Sequence, residues 1–578
     1  MKYLVFGLML FFLAGCKNET QRTASTFRAF NEIDSAATSP LLNPVYEKYK
    51  SLKLPEISST EKWKEGWTFM TGSPEETLQA EAKPVSGEGV NLPHRVNKPD
   101  CALWYKKEIT IPSDGYLLIR ADDGAQLFLN GNRVNRFTEN YFPVIRGNTE
   151  VIVRVLNNAM SGGLRDVSFI SAESFSTYSQ KLGEFFQLKQ AVEKILLLRN
   201  PKPDVNDLAV QTLANPVVES LTKLTIAVAD YPYITGPWLQ RESRDDFRIT
   251  AWIEKDTSVQ LHYGFSPERL EKYLVKTCSR CTFTLKNLPA NSTVFYELHV
   301  GKTVSPQYSF STDASKPFSF NIWADSQSGW DNFARNMSNT LTYSDACGIG
   351  IGDLVGNGSN EQEWRMFFNL LSPSAANKPY YLIAGNHDYD GYYDDLNPAH
   401  YKQLIKDRPT YQCWTWGNCA FIALDPNERF PIGIPEGSEQ ERWFRNQLQS
   451  DQWKSATWRF VLIHQPPYSQ GWSGYEGEKN IRELLEPVIA SAKIDFVVSG
   501  HTHDYERLTK DYGNQRTTFL IVGGAGGSLE PEESSRLPKM DTVIKQHHMG
   551  RFFINGTKLR FEVRGLENEL LDFFEQIK

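Results

Sequence analysis

The sequence predicts a multidomain chain: two N-terminal β-sandwich domains followed by an α/β domain, itself a two-sheet sandwich flanked by helices. Three observations carry this. Between 61 and 314, short segments alternate apolar and polar residues and are separated by turn residues, as half-buried strands are. Beyond 315, continuous apolar runs alternate with helical spacing, as strands buried on both faces between helices do. Five of those runs end on a residue type that binds metals, at the carboxyl edge where open α/β sheets build their sites.

Composition sets the outer bounds. A chain of 578 residues exceeds what one hydrophobic core organises, so several domains are expected. A net charge of −7 argues against binding duplex nucleic acid. A mean hydropathy of −0.44 argues against a polytopic membrane protein. The 14 tryptophans suit β-sandwich cores and sugar-stacking surfaces.

Residues 1–16 read as a targeting segment. Lys2 precedes an apolar run from Leu4 to Leu13, too short to span a bilayer comfortably. The run closes with Leu13-Ala14-Gly15-Cys16, which resembles the lipobox of bacterial lipoproteins. The resemblance implies lipidation of Cys16 and a lipid-anchored place in the cell envelope. Lys17 rather than Asp follows, which favours an outer membrane. An ordinary signal peptide is the alternative. Residues 17–60 are polar and rich in Ser, Thr and Asn, and are expected to form a tether.

Residues 61–174 carry the first sandwich pattern, with strands at 102–112, 116–120, 125–130 and 151–156 and a hairpin turn at Asn130-Gly131-Asn132. The run Val90 to Arg95, Trp104-Tyr105, Leu129-Asn130-Gly131, Asn157-Asn158 and Gly162-Gly163 resembles the jelly-roll domain of β-galactosidase-type glycosidases. That implies a galactose-binding-like sandwich, whose role is either structural or, as the alternative, to take carbohydrate as a partner. Residues 175–220 read as a helical connector. Tyr178, Leu182, Phe185, Phe186, Val192, Ile195 and Leu196 share one face, and Asn200-Pro201-Lys202-Pro203 stops the helix.

Residues 221–314 hold the second sandwich pattern, with strands at 247–252, 259–264, 281–285 and 294–300. This stretch resembles the fibronectin type III-like domain ahead of the catalytic domain in purple acid phosphatases. His262 and His299 lie in strand patterns away from other ligands and read as structural. Of the seven cysteines, Cys278 and Cys281 suit a short disulfide loop. Cys413 and Cys419 flank a turn and suit a second bridge, while Cys101 and Cys347 read as free and buried.

In 315–578 the five apolar runs lead into Asp325, Asp353, Asn386-His387-Asp388, His464 and Gly500-His501-Thr502-His503. Carboxylate, amide and imidazole together are hard and borderline donors suited to Zn, Mn or Fe. Asp325-Ser326-Gln327, Gly352-Asp353, Gly385-Asn386-His387-Asp388, His464 and Gly500-His501-x-His503 resemble the calcineurin-like metallophosphoesterases, and Tyr505-Glu506-Arg507 points to the purple acid phosphatase-like branch.

The resemblance implies a lipid-anchored hydrolase of phosphate esters that works with two divalent ions, Mn, Zn or Fe. Two such ions about 3.5 Å apart offset the charge of a phosphate ester and acidify a water between them. By this analogy Asp325, Asp353, His503 and Gln327 hold one ion, and Asp353, Asn386, His464 and His501 hold the other. His387 serves as general acid, and Asp388 orients it. The chain departs from the pattern twice. Gln327 stands where many relatives have His, and Gly356 stands where purple acid phosphatases have Tyr, so no charge-transfer colour is expected. Tyr392, Tyr393, Tyr468 and Trp472 are candidates to stack on a leaving group. The glycine run 523–527 reads as a close-packed turn beside the site, and His547-His548 as rim residues. The alternative readings are a phosphodiesterase or nucleotide hydrolase of the same fold, and a non-catalytic glycan-binding surface lipoprotein.

Overall fold

The structure is a computed structural model. It describes residues 25–27, 30–38, 42–73, 82–121, 124–138, 140–199, 232–301, 303–312, 317–392, 398–405, 408–531 and 539–578. The targeting segment with Cys16, and 200–220 of the expected connector, lie outside the described residues.

The C-terminal part is built on two sheets. One has six strands in the order Tyr380–Ile383, Cys347–Ile351, Phe318–Trp323, His548–Asn555, Lys558–Gly565, Leu570–Ile577. The other has seven, in the order Gln412–Trp416, Cys419–Leu424, Trp458–Ile463, Phe496–Ser499, Gln515–Val522, Tyr505–Tyr512, Thr542–Ile544. The first three strands of the six-stranded sheet run parallel, as do Cys419–Leu424, Trp458–Ile463, Phe496–Ser499 and Gln515–Val522. Their carboxyl ends therefore lie along one edge. Between the sheets sits an aromatic core in which Phe421, Phe460 and Phe496 stack at 4.9 Å spacings. The outer faces are covered by helices Trp330–Thr340 and Glu361–Ala375 on one side and Glu439–Leu448 and Lys479–Ala492 on the other. Strands buried on both faces must be apolar throughout, which is why these runs do not alternate.

Ahead of this, a four-stranded and a six-stranded sheet drawn from residues 61–171 share one core, with Leu103, Tyr105 and Val153 facing Leu117, Ile119 and Phe169. The outer side of the six-stranded sheet is not free. Trp104, Phe128, Ile152 and Leu156 are buried and belong to one apolar cluster with Phe430 and Tyr389 of the C-terminal part. An aromatic platform for sugar is therefore closed off on that face.

Residues 232–312 were expected to split into two sheets. Their strands instead join one eight-stranded sheet, because the 18-residue strand Phe247–Gly264 pairs with Ile234–Arg241 along its first half and with Thr293–Val300 along its second. A register shift between Trp252 and Thr257 bends it across the core.

Two expectations need correction. The segment 17–60 is not an open tether where it is described. Residues Phe30–Thr38 and Asn43–Ser51 are helical, and Ile33, Leu42 and Val45 pack on Val192, Ile195 and Leu196 of the helix Ala172–Leu197. Sparse apolar residues in a polar stretch hid an interface that needs a partner helix to exist. No disulfide joins Cys413 and Cys419. The hairpin pairs Cys419 with Trp416 and Cys413 with Ile422, so the two thiols are not opposite each other. Cys278 and Cys281 form the disulfide, and Cys101 and Cys347 are free and buried.

Candidate metal centre

Each candidate ligand leaves a strand end at the shared edge. Asp325 follows Phe318–Trp323, Asp353 follows Cys347–Ile351, Asn386 follows Tyr380–Ile383, His464 follows Trp458–Ile463, and His501 follows Phe496–Ser499. Three of them have left-handed backbones: Asp325 with φ 61°, Asp353 with φ 49° and His501 with φ 70°. Such a conformation costs a non-glycine residue on the order of 1–3 kcal/mol. Here it turns the side chain back over the strand end instead of letting the chain run on. Gly385 is fixed by the same crowding, since a Cβ there would lie 2.2 Å from Asp353 Oδ1.

The side chains converge. One donor atom each of Asp353, His464 and His501 lies within 4.8 Å of the others. His464 Nε2 is 3.2 Å from Asp353 Oδ2 and 3.9 Å from Asp325 Oδ1. His503 Nε2 is 3.6 Å from Asp325 Oδ1 and 3.1 Å from Gln327 Nε2. Asn386 Oδ1 accepts a hydrogen bond from Gln465 Nε2 at 3.1 Å. His387 donates its backbone N–H to Asp353 Oδ1 at 2.9 Å. Asp325, Asp353, Asn386, His464 and His501 are buried.

Three imidazoles are oriented by backbone carbonyls. His464 Nδ1 lies 2.8 Å from Ile351 O, His503 Nδ1 2.7 Å from Ser528 O, and His387 Nδ1 2.9 Å from Gly356 O. A carbonyl only accepts, so each Nδ1 carries the proton and each Nε2 presents its lone pair when the ring is neutral. Carbonyl-held rings of this kind are the usual support for metal-binding histidine.

The electrostatics test whether cations fit. Burial raises Asp325 well above the carboxylate range, and Asp353 beside it raises it further. Burial also pushes Asp353 up, but His464, His387 and His501 outweigh it and hold it low. Burial pulls His464 down, yet Asp353 and Asp325 hold it at about 10. Burial and His464 lower His501 to about 3. Without a cation, His464 and Asp353 make one ion pair, and burial works against a charge on the second carboxylate, Asp325. The neutral His464 tautomer faces Asp353 lone pair to lone pair. His501 Nε2 is buried with no hydrogen-bond partner among the described residues. Such an atom is costly unless something electron-poor lies beside it. The donor set therefore fits divalent cations.

Three expectations change at the site. Asp388 does not orient His387. Its carboxylate lies beneath the loop and accepts the N–H groups of Leu354 at 3.1 Å, Val355 at 3.3 Å and Gly385 at 2.8 Å. Burial and Asp353 push it up to about 7. Tyr468 is not over the site. It packs edge-on against Phe519 and its hydroxyl meets Glu486 and Lys510. His548 is buried and not at the rim; burial lowers it to about 4.

Trp472 does lie beside the site, its ring 5.9 Å from that of His501. The side chains of Tyr392 and Tyr393 lie outside the described residues. The glycine run is the expected turn: Gly526 and Gly527 donate to Asp325 O at 3.0 and 2.8 Å. At Gly356 a tyrosine would have to displace Ser328 and Glu363, which lie 2.7 and 3.0 Å from where its Cβ would stand.

Residues not foreseen are Gln465, which ties Asn386 to Asn427 at 2.6 Å, and Tyr475, whose ring is 5.5 Å from that of His501. Gln465 directly follows His464, which was its only available signal.

Residues 349–505 match the family model for calcineurin-like phosphoesterases. Purple acid phosphatase 22 of Arabidopsis thaliana is 26% identical over 320 residues, covering 50% of this chain and 70% of that protein. Probable inactive purple acid phosphatase 24 of the same plant is 28% identical over 227 residues, 33% of this chain and 36% of that one. Among solved structures, a purple acid phosphatase from yellow lupin (Lupinus luteus) seeds is similar in fold, with a TM-score of 0.52 and 16% identity over 82% of this chain and 92% of its own.

Proposed function

We propose that this chain hydrolyses phosphate esters at a centre of two divalent cations, anchored through Cys16 in the cell envelope, outer membrane favoured. The observation that carries the reading is the buried facing of His464 Nε2 and Asp353 Oδ2 at 3.2 Å, beside the unpartnered His501 Nε2. Asp325, Gln327, Asp353 and His503 would hold one cation, and Asp353, Asn386, His464 and His501 the other. Bound there, the cations would supply positive charge against the phosphoryl group and an acidified water.

The chain's own residues do the rest. Asp353 would be shared between the cations, and its negative charge would offset their mutual repulsion. His387 is partly exposed at the mouth, and its Nδ1 is fixed on Gly356 O. That orientation turns Nε2 outward, where the protonated ring delivers a proton to the leaving oxygen. Gln465 holds the Asn386 amide by its oxygen, which leaves a second lone pair on that oxygen for a ligand role. Domain boundaries at 61–174, 175–220, 221–314 and 315–578 are part of this reading.

Hydrolysis of a phosphomonoester and of a phosphodiester, measured side by side with added Mn, Zn or Fe(II), tests it. Turnover of either that disappears with Asp353→Ala supports the reading and assigns the ester class. No turnover of either with any of the metals overturns it and leaves the non-catalytic surface protein.

A further inference from the structure

We propose that the loop from Ser469 to Glu478 is the wall that discriminates among leaving groups, and that Met160 of the N-terminal sheets props it in place. What the wall contacts rests on the phosphohydrolase reading; the prop itself does not.

The wall carries two aromatic rings to the site. Trp472 and Tyr475 both stand edge-on to His501, and their own rings are 5.2 Å apart. The base of the loop is clamped. Glu506, buried, accepts Ser469 Oγ at 2.6 Å, Gln470 N at 2.6 Å and Gly471 N at 3.0 Å. The far end closes on itself, with Glu478 N donating to Pro466 O at 2.7 Å and Tyr475 Oη to Glu478 Oε1 at 2.9 Å.

The tip, too, is supported from outside the loop, by a distant part of the chain. Gly474 has φ +85°, and a Cβ built on it would lie 2.4 Å from Met160 Cε and 3.1 Å from Met160 Sδ. Met160 sits more than three hundred positions earlier, between two strands of the N-terminal sheets. Its own backbone is left-handed at φ 49°, a conformation that methionine adopts only where the surroundings impose it. Asn157 imposes it, donating through Nδ2 to Lys98 O at 2.7 Å and Met160 O at 3.3 Å.

A second contact lies alongside. Asp100, in the same N-terminal region, is close enough to Glu478 and Tyr475 to raise both carboxyl and phenol beyond what burial does. The apolar cluster joining Trp104, Phe128 and Leu156 to Phe430 makes the two parts one packed body around this contact. The N-terminal sheets thus have a part in catalysis that the catalytic fold alone would lack. A flexible thioether at the tip suits this role, because it fills an irregular gap without fixing a hydrogen bond.

The test uses the full chain with Met160→Gly, which relieves the left-handed backbone, and Gly474→Ala, which displaces the prop from the other side. Hydrogen exchange of the backbone over 469–478 is expected to quicken about tenfold in both. KM for p-nitrophenyl phosphate is expected to rise about fivefold or more, with kcat and the KM for glycerol phosphate held within about twofold. Unchanged exchange overturns the prop. Faster exchange with an unchanged KM ratio overturns the wall. If the wild type hydrolyses no phosphate ester, monoester or diester, the phosphohydrolase reading fails with the wall, and exchange alone decides the prop.

Discussion

Asp353 and Asp388 hold each other's loops. The Asp353 carboxylate accepts the backbone N–H of His387, the residue before Asp388, at 2.9 Å. The Asp388 carboxylate accepts the N–H of Leu354, the residue after Asp353, at 3.1 Å. Two strand ends are thereby locked in register. One carboxylate faces the site, and the other is buried beneath it.

Asp388→Asn is expected to destabilise the chain rather than retune the acid. An amide in its place presents two donors to backbone N–H groups that already need acceptors, and each unsatisfied buried group costs about 1–3 kcal/mol. The unfolding midpoint should fall by several degrees, while the dependence of rate on leaving-group pKa stays as in the wild type. A changed leaving-group dependence with an unchanged midpoint would restore Asp388 to an orienting role.

His387→Ala should slow hydrolysis by roughly 10²–10⁴-fold for an alkyl phosphate, the range of a lost general acid. A p-nitrophenyl ester, whose leaving group needs no proton, should lose far less. Equal losses on both esters would place His387 in binding rather than proton transfer.

Gln327→His should tighten one cation. Gln327 Nε2 faces His503 Nε2 at 3.1 Å, where an imidazole would add a stronger donor than a neutral amide. Loss of metal to a chelator, followed by elemental analysis over time, should be slower than in the wild type. Equal or faster loss would remove Gln327 from the ligand set.

Stability should carry a pH signature from Glu478. Burial, with Asp100 nearby, holds its folded carboxyl up at about 8 against an ordinary value of 4.5. Between those values the folded state keeps a proton that the unfolded chain gives up. Stability from this group is therefore lost as pH rises through that window, at about 1.4 kcal/mol per pH unit. Glu478→Gln should raise the unfolding midpoint at pH 8 and change it little at pH 5. A variant no more stable at pH 8 would show that the carboxyl is ionised in the folded chain.

The meeting of Asp325, Asp353, Asn386, His464 and His501 at one edge was legible because each follows an apolar run of the kind that forms a buried strand, and parallel strands deliver their ends to one edge. What hides from sequence is what only meets across loops. Glu506 clamps residues 469–471 and Met160 fills the space where a side chain at 474 would stand, and no local pattern announces either arrangement. Asp388 was expected to orient His387 by analogy with carboxylates that support histidine, but its carboxylate is taken up by the N–H groups of Leu354, Val355 and Gly385, which the sequence does not show. Ile33, Leu42 and Val45 were too sparse to mark an apolar face until the helix they pack on was present.

The central claim is that one buried aspartate sits between two cations and that ester hydrolysis depends on both. Elemental analysis of the purified chain, with phosphate release followed on the same sample, tests it most directly. The account predicts two divalent ions per chain, and one or none with hydrolysis abolished in Asp353→Ala. Hydrolysis that persists after a chelator has stripped every ion would contradict it.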